Sequence, residues 1–343
     1  MLALQTALEQ GRFRGSVARA CATAWAHIAE RAVVRPLALP SRTRVLAVGG
    51  ATLGGSGKTP LAIACAAELA AGGARVAFVG HAYRAKPGRA RVVAAGDALA
   101  EVGDEALVAA QALGPAGVRV VVAPTRSDAV AFAAREADVL VLDGVAQTSP
   151  VRATLALLAV DALEPWGRAR SVAPCGDLRA PMAALLRACD GVVAIGDCPR
   201  AGVDVESEGA FGAWRASMSS SGARVGDTLR TWDDLGRMRL GLLCAIARPE
   251  RVVRSLQRRG VAVRAVVRAR DHGPLAGSIF ARAALAGALA GIDLWLATPK
   301  CSLHFALSRA GVGNVLQAPF GTIEHTLVLS EALSERLRCL AAP

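Results

Sequence analysis

The stretch Thr52-Leu53-Gly54-Gly55-Ser56-Gly57-Lys58-Thr59-Pro60 decides the reading. It follows a β-branched apolar run, residues 44–48, and opens an Ala- and Leu-rich run of helical spacing, residues 60–71. A glycine-rich loop between a strand and a helix is the context in which backbone amides wrap a phosphate chain. Glycines let successive N–H groups turn inward, and the helix N-terminus adds partial positive charge. Lys58 is suited to reach β- and γ-phosphates, and the Thr59 hydroxyl to ligate Mg²⁺. Pro60 sits where a missing N–H costs nothing. The usual pattern begins with Gly, and Thr52 holds that place here. The loop from Thr52 to Thr59 is the predicted nucleotide site.

Working outward, short apolar runs alternate with helical ones. Strands are expected at residues 44–48, 75–79, 118–123, 139–142, 155–160 and 192–195, with helices at 60–71, 105–113 and 126–136. This alternation means crossover units and a mostly parallel sheet. The expected fold class is α/β: a P-loop NTPase-like sheet with helices on both faces, plus a second, smaller α/β domain. The second unit is read from strands at 240–245, 261–267 and 294–297 and helices at 249–259 and 279–290. The expected organisation is a helical segment over 1–40, a nucleotide-binding domain over 41–201, and a Gly- and Ser-rich linker or ribbon over 202–230. The smaller domain covers 231–343 and ends in a helix.

The chain has 343 residues and a formal charge of +12, and 53% of it is apolar, which excludes disorder and a pure basic tail. Of its forty cationic side chains only Lys58, Lys86 and Lys300 are lysines. Such charge favours an acidic partner: nucleic acid, an anionic membrane surface or a phosphorylated substrate. The arginines are spread along the chain, which argues against a nucleic-acid arm. Eight cysteines form no C-x-x-C pair, so a zinc site or disulfide framework is not expected. No uncharged apolar run is long enough to span a bilayer, and no export signal is expected at the start. Leu4, Leu8, Val17, Cys21, Trp25 and Ile28 recur near helical spacing among arginines. Such a helix lies on an anionic bilayer or packs on its own protein.

Other residues carry candidate chemistry. Asp143 ends the fourth strand beside the loop, placed either to hold Mg²⁺ or to cap a turn. Asp104, in Gly103-Asp104-Glu105, is suited to cap the following helix, or to accept a hydroxyl proton. His81 follows the second strand at its ligand-binding end. His272, after Asp271, could orient a catalytic carboxylate. His27, His304 and His325 have no recognisable role.

Together these pieces resemble the tetraacyldisaccharide 4'-kinase family, the lipid A 4'-kinases of Gram-negative bacteria. The family loop T-V-G-G-T-G-K-T-P is matched by residues 52–60, where Thr52 is in family register. Its G-D-E is matched by Gly103-Asp104-Glu105, its L-P-A-G-P-L-R-E-P by residues 172–181, its G-N-P-E-R-F by 247–251, and its D-H by Asp271-His272. The resemblance implies transfer of the ATP γ-phosphoryl group to the 4'-hydroxyl of an acylated, phosphorylated glucosamine disaccharide. It implies ATP and Mg²⁺ as cofactors, Asp104 as the catalytic carboxylate with His272 assisting, and Thr59 and Asp143 at the metal. It also implies work at the cytoplasmic face of the bacterial inner membrane, with the N-terminal helix meeting the bilayer. The chain departs from the family in three places. D-D-G-L-Q-H becomes Asp143-Gly144-Val145-Ala146-Gln147-Thr148, S-R-G-Y-G becomes Gly80-His81-Ala82-Tyr83-Arg84, and T-E-K-D becomes Thr298-Pro299-Lys300-Cys301. These departures leave a second reading open, a member that binds nucleotide or lipid without transferring phosphate.

Overall fold

The computed structural model describes residues 2–82, 85–196, 212–246, 248–269, 277–304 and 318–341. Asp271, His272, Tyr83, Arg84, Ala247 and Cys198 lie outside the described residues. The chain divides into two compact units, Ala3–Met218 with Leu327–Pro343, and one built on Ser219–Thr326.

The larger unit begins with helices α1 (Leu2–Glu9) and α2 (Ser16–Ala32) and the short strand β1 (Val34–Pro36). Then come β2 (Arg44–Gly50), α3 (Lys58–Ala71), β3 (Val76–Val79), β4 (Arg91–Val92), α4 (Leu99–Val102) and α5 (Asp104–Leu113). They are followed by β5 (Arg119–Val122), α6 (Arg126–Ala133), β6 (Val139–Asp143), β7 (Gln147–Ser149), β8 (Leu155–Asp161), α7 (Met182–Ala188) and β9 (Gly191–Ile195). The order across the sheet is β4-β5-β3-β6-β2-β8-β9, parallel except for β4. Each expected strand and helix of this unit is present, with ends moved by a residue or a few.

Both parities of the central strands are buried. Val45 and Ala47 of β2, with Leu140 and Leu142 of β6, pack in one cluster with Ala22, Ala29, Ala129, Val130 and Leu185 from α2, α6 and α7. The alternate residues Leu46, Val48, Val139 and Val141 are equally enclosed. This is what a parallel sheet covered on both faces requires, and it explains why its strands read as continuous apolar runs. With so few aromatic side chains, the enclosure is made by Ala, Val and Leu packed closely.

The N-terminal segment is two helices rather than one. On α2, Ala22 and Ala29 face the core, whereas Val17, Trp25 and Ile28 are 76%, 46% and 58% exposed. No helix among the described residues is long and apolar enough to cross a membrane.

The smaller unit is also α/β. The strand β10 (Gly212–Val225) ends in it, pairs antiparallel with β11 (Thr228–Thr231), and is followed by the one-turn helix α8 (Trp232–Leu235). Residues 212–231 of the segment read as linker are therefore a β-ribbon, and residues 202–211 lie outside the described residues. Then follow β12 (Leu240–Cys244), α9 (Pro249–Arg258), β13 (Val263–Arg268), α10 (Gly277–Ala290), β14 (Leu294–Ala297) and β15 (Phe320–Leu329). Strands β13-β12-β14-β15 are parallel in that order and enclose Trp295, Leu242, Leu243 and Leu296. The chain closes back in the larger unit with α11 (Glu331–Ala341), which packs there on α3.

Candidate active site

Strand β2 delivers the loop. Its register sets Val48 opposite Asp143 of β6, so the loop leaves the sheet beside the end of that strand. Gly57 holds φ +84, a left-handed conformation, and a Cβ there would lie 2.7 Å from Ile195 Cδ1. Only glycine meets both conditions without strain. The segment 177–179 staples the loop's entry. Leu53 N donates to Asp177 O (2.8 Å), Arg179 N donates to Ala51 O (2.9 Å), and Arg179 Nε donates to Thr52 O (2.8 Å).

Lys58 opens α3. Its Nζ donates to Thr59 Oγ1 at 3.1 Å and pairs with Glu105 Oε1 at 3.2 Å. Burial works to lower its pKa, but the carboxylates of Asp143 and Glu105 outweigh this and raise it, so the ammonium is held charged. Thr59 Oγ1 donates to Asp143 Oδ2 at 2.7 Å. Asp143 is buried, and its Oδ1 has no hydrogen-bond partner among the described residues. Burial raises the Asp143 pKa against the pull of Lys58. An orphaned buried carboxylate oxygen next to a threonine hydroxyl fits Mg²⁺, which takes few protein ligands and completes its shell with water and phosphate. Among the described residues no cluster of three or more His, Cys, Asp or Glu offers an all-protein metal cage. Of the two readings of Asp143, the turn cap finds no contact to support it: the side chain faces Thr59.

Asp104 corrects one expectation. Gly103, at φ 86 and ψ 155, occupies the N-cap position, and no side chain caps the helix. That conformation is essentially restricted to glycine. Asp104 is therefore the first helical residue. It is buried, and its Oδ1 accepts from Glu105 N at 2.8 Å. The Glu105–Lys58 pair ties this helix start to the loop, bringing Asp104 into the neighbourhood of the phosphate seat.

Three contributors were given no role from the sequence. Glu105 and Arg179 were read only as parts of motifs, and Arg126 was lost among thirty-seven arginines. Thr125 caps α6 by accepting from Asp128 N at 3.1 Å, which fixes Arg126 as the first helical residue; Arg126 Nη1 donates to Asp143 O at 2.8 Å. Burial lowers the pKa of Arg126 and of Arg179, while Asp143 and Glu105 pull the other way. His81 stands beyond β3 on the surface, its pKa lowered by partial desolvation and then by Arg126 and Lys58. Gln147 proves structural: its Nε2 donates to Ala188 O at 3.1 Å, and its Oε1 accepts from Thr148 N and Ala153 N.

A phosphate cradle with Lys58, Arg126 and Arg179 around it, a Thr–Asp pair fit for Mg²⁺ and a separate carboxylate at Asp104 define a P-loop phosphotransferase. Comparison with known proteins gives the particular family. The Tetraacyldisaccharide-1-P 4'-kinase family profile matches residues 16–310, and the chain belongs to that family. The tetraacyldisaccharide 4'-kinase of Methylobacterium sp. (strain 4-46) is 36% identical over 247 residues, covering 71% of this chain and 70% of that one. That of Methylobacterium radiotolerans is 35% identical over 257 residues, 75% and 74% of the two chains. The fold is that of LpxK from Aquifex aeolicus, solved in complex with ATP. Its TM-score is 0.63 at 18% identity, over 94% of this chain and 98% of that one.

Proposed function

We propose that this kinase transfers the γ-phosphoryl group of ATP to the 4'-hydroxyl of a tetraacyldisaccharide 1-phosphate, with Asp104 accepting the hydroxyl proton. The observation that carries the reading is the Lys58–Thr59–Asp143 constellation with its orphaned Oδ1, tied by Glu105 to the helix that begins at Asp104. Loop amides from Thr52 to Thr59 bind the triphosphate, and Lys58 leaves Glu105 to meet it. Arg126 and Arg179 add positive charge where negative charge spreads over the transferred group. Thr59 and Asp143 hold Mg²⁺, which neutralises phosphate charge when bound. Asp104 holds the acceptor hydroxyl and takes its proton. His272 is assigned as its assistant from the family motif alone. Catalysis is then mostly positioning and electrostatics. The non-transferring reading gains nothing from the site, since Lys58, Thr59, Asp104 and Asp143 are all retained.

The test is transfer of label from γ-³²P-ATP to the tetraacyldisaccharide 1-phosphate in detergent with Mg²⁺. Asp104→Ala is expected to lower kcat by about 10²–10⁴-fold, the usual worth of a positioned base. Near-normal turnover by that variant removes the assignment, and absence of product from the native chain removes the activity.

The same proposal places the enzyme peripherally on the cytoplasmic face of the bacterial inner membrane. The exposed stripe of Val17, Trp25 and Ile28, flanked by Arg14 and Arg31, supports docking on an anionic surface.

A further inference from the structure

Helix α10 covers the smaller sheet with one face. Phe280 and Ala283 are buried, and Ala286 and Ala290 pack on the same core. A Cβ at Gly287 would lie 3.6 Å from Trp295 Cζ2, so helix and sheet approach closely there. The opposite face is apolar as well. Ala281, Arg282, Leu285, Ala288 and Leu289 are exposed, and helical spacing sets them on one side. Leu285 is 63% and Leu289 81% exposed, and no large apolar side chain among the described residues is more exposed than Leu289. A surface helix normally turns polar residues to water, and one that is apolar all round is covered on both sides. Charge identifies the cover. Arg282 is the only charged residue of α10. Asp293, the acid that follows the helix, is neutralised by Arg239, whose Nη2 and Nε donate to its two oxygens at 2.7 and 3.1 Å. Residues 219–326 hold fifteen Lys and Arg against seven Asp and Glu, a net +8 of the chain's +12. Such a charge opposes a second copy of the chain and attracts an anionic surface.

We propose that the outer face of α10 docks the smaller unit on an anionic bilayer, with Leu285 and Leu289 entering the acyl boundary and Arg282 held at the headgroup phosphates. The inference extends the membrane reading under Proposed function and adds a contact separate from α2. Two leucines one turn apart present a continuous apolar edge. The arginine lays its stem along that edge and keeps its guanidinium in the headgroup layer, where its planar fork matches phosphate oxygens. Attachment of this kind grows with buried apolar area and with charge, so it responds to both.

The experiment is sedimentation of the full chain with mixed phosphatidylglycerol–phosphatidylcholine vesicles, with pure phosphatidylcholine vesicles as reference. Leu285→Gln with Leu289→Gln removes the apolar edge and keeps good helix formers at both exposed positions. This pair is expected to weaken partition onto the anionic vesicles about tenfold. Arg282→Glu should weaken it by about tenfold at low salt, and by less as salt is raised. With Val17→Asp and Ile28→Asp in place, the binding that remains should disappear when the glutamine pair is added. Unchanged partition by the glutamine pair overturns the proposal; if the α2 pair then abolishes binding, the α2 contact stands alone. Weaker binding by the glutamine pair and none lost by the α2 pair supports α10 and refutes α2. No binding of the native chain to anionic vesicles overturns both. A native dimer that the glutamine pair converts to monomer, with partition unchanged, assigns the face to a second copy and overturns the proposal too. Should the glutamine pair fail to fold, Arg282→Glu decides, because full binding by that variant refutes the contact.

Discussion

Gly57→Ala tests whether the backbone of the phosphate loop is as constrained as its geometry indicates. The residue holds φ +84, and the new Cβ would sit 2.7 Å from Ile195 Cδ1 and 3.4 Å from Ile195 Cγ2. A left-handed conformation costs a side-chain-bearing residue about 1–2 kcal/mol. Carbon atoms settle at about 3.5–4.0 Å, so the Ile195 terminal methyl must swing away, at about 0.5–1.5 kcal/mol for an off-rotamer side chain. Alanine restricts the unfolded chain and returns about 0.4–1 kcal/mol. The net loss is about 2 kcal/mol, roughly a 30-fold change in the unfolding constant. Urea unfolding of the nucleotide-free protein measures it, and a fluorescent ATP analogue reports on the loop amides. The structure further predicts how the loss divides. Ile195→Val deletes the clashing Cδ1, so in the double variant the steric part disappears while the backbone part stays, giving a coupling of about 1 kcal/mol. A Gly57→Ala loss below about 0.5 kcal/mol, or full recovery of nucleotide binding by Ile195→Val, would refute the reasoning.

Asp143 is held above the usual carboxylate range by burial, so its charged form opposes folding at neutral pH. The stability conferred by the protonated form is present below the unfolded value of 3.8 and is lost as pH rises through the folded value. Asp143→Asn should therefore raise the thermal midpoint of the nucleotide-free protein at pH 7, by less as the pH is lowered, while abolishing Mg²⁺-dependent turnover; a lower midpoint at pH 7 contradicts this. Trp25 emission should shift to the blue on anionic vesicles and not on zwitterionic ones, and Val17→Asp with Ile28→Asp should remove the response. Among the cysteines of the described residues, thiol labelling of the native protein should reach exposed Cys21 and Cys339 first. Cys189 and Cys244, each with its thiol pushed up to about 12, should react only on unfolding. Rapid modification of either one in folded protein would show that the core there is open.

The phosphate loop was legible because its chemistry is local. Glycines, lysine, threonine and a helix start follow one another within nine residues, between a strand and a helix. Asp143 was legible for a related reason: an acid at the end of an apolar run lies at the ligand-binding edge of a parallel sheet. The reading of Asp104 as a cap fails because Gly103 adopts a conformation that displaces Asp104 into the helix. That φ cannot be read from a Gly-Asp pair. The short β1–β7 pairing also gave no pattern, since three residues on each side, Val34-Arg35-Pro36 against Gln147-Thr148-Ser149, are too few to show an apolar alternation.

What the sequence determined by itself is the class of chemistry and the α/β alternation, both written in short-range order. The tertiary structure decided which arginines matter. Arg126 is 17 residues from Asp143, Arg179 is 127 from Thr52, and Glu105 is 47 from Lys58. In a chain with thirty-seven arginines no local spacing marks Arg126, and the motif that contains Arg179 does not say what its side chain meets. Their selection rests on strand order and burial: β2 and β6 lie side by side, and charge drawn into that enclosed end of the sheet interacts strongly because water is excluded from it.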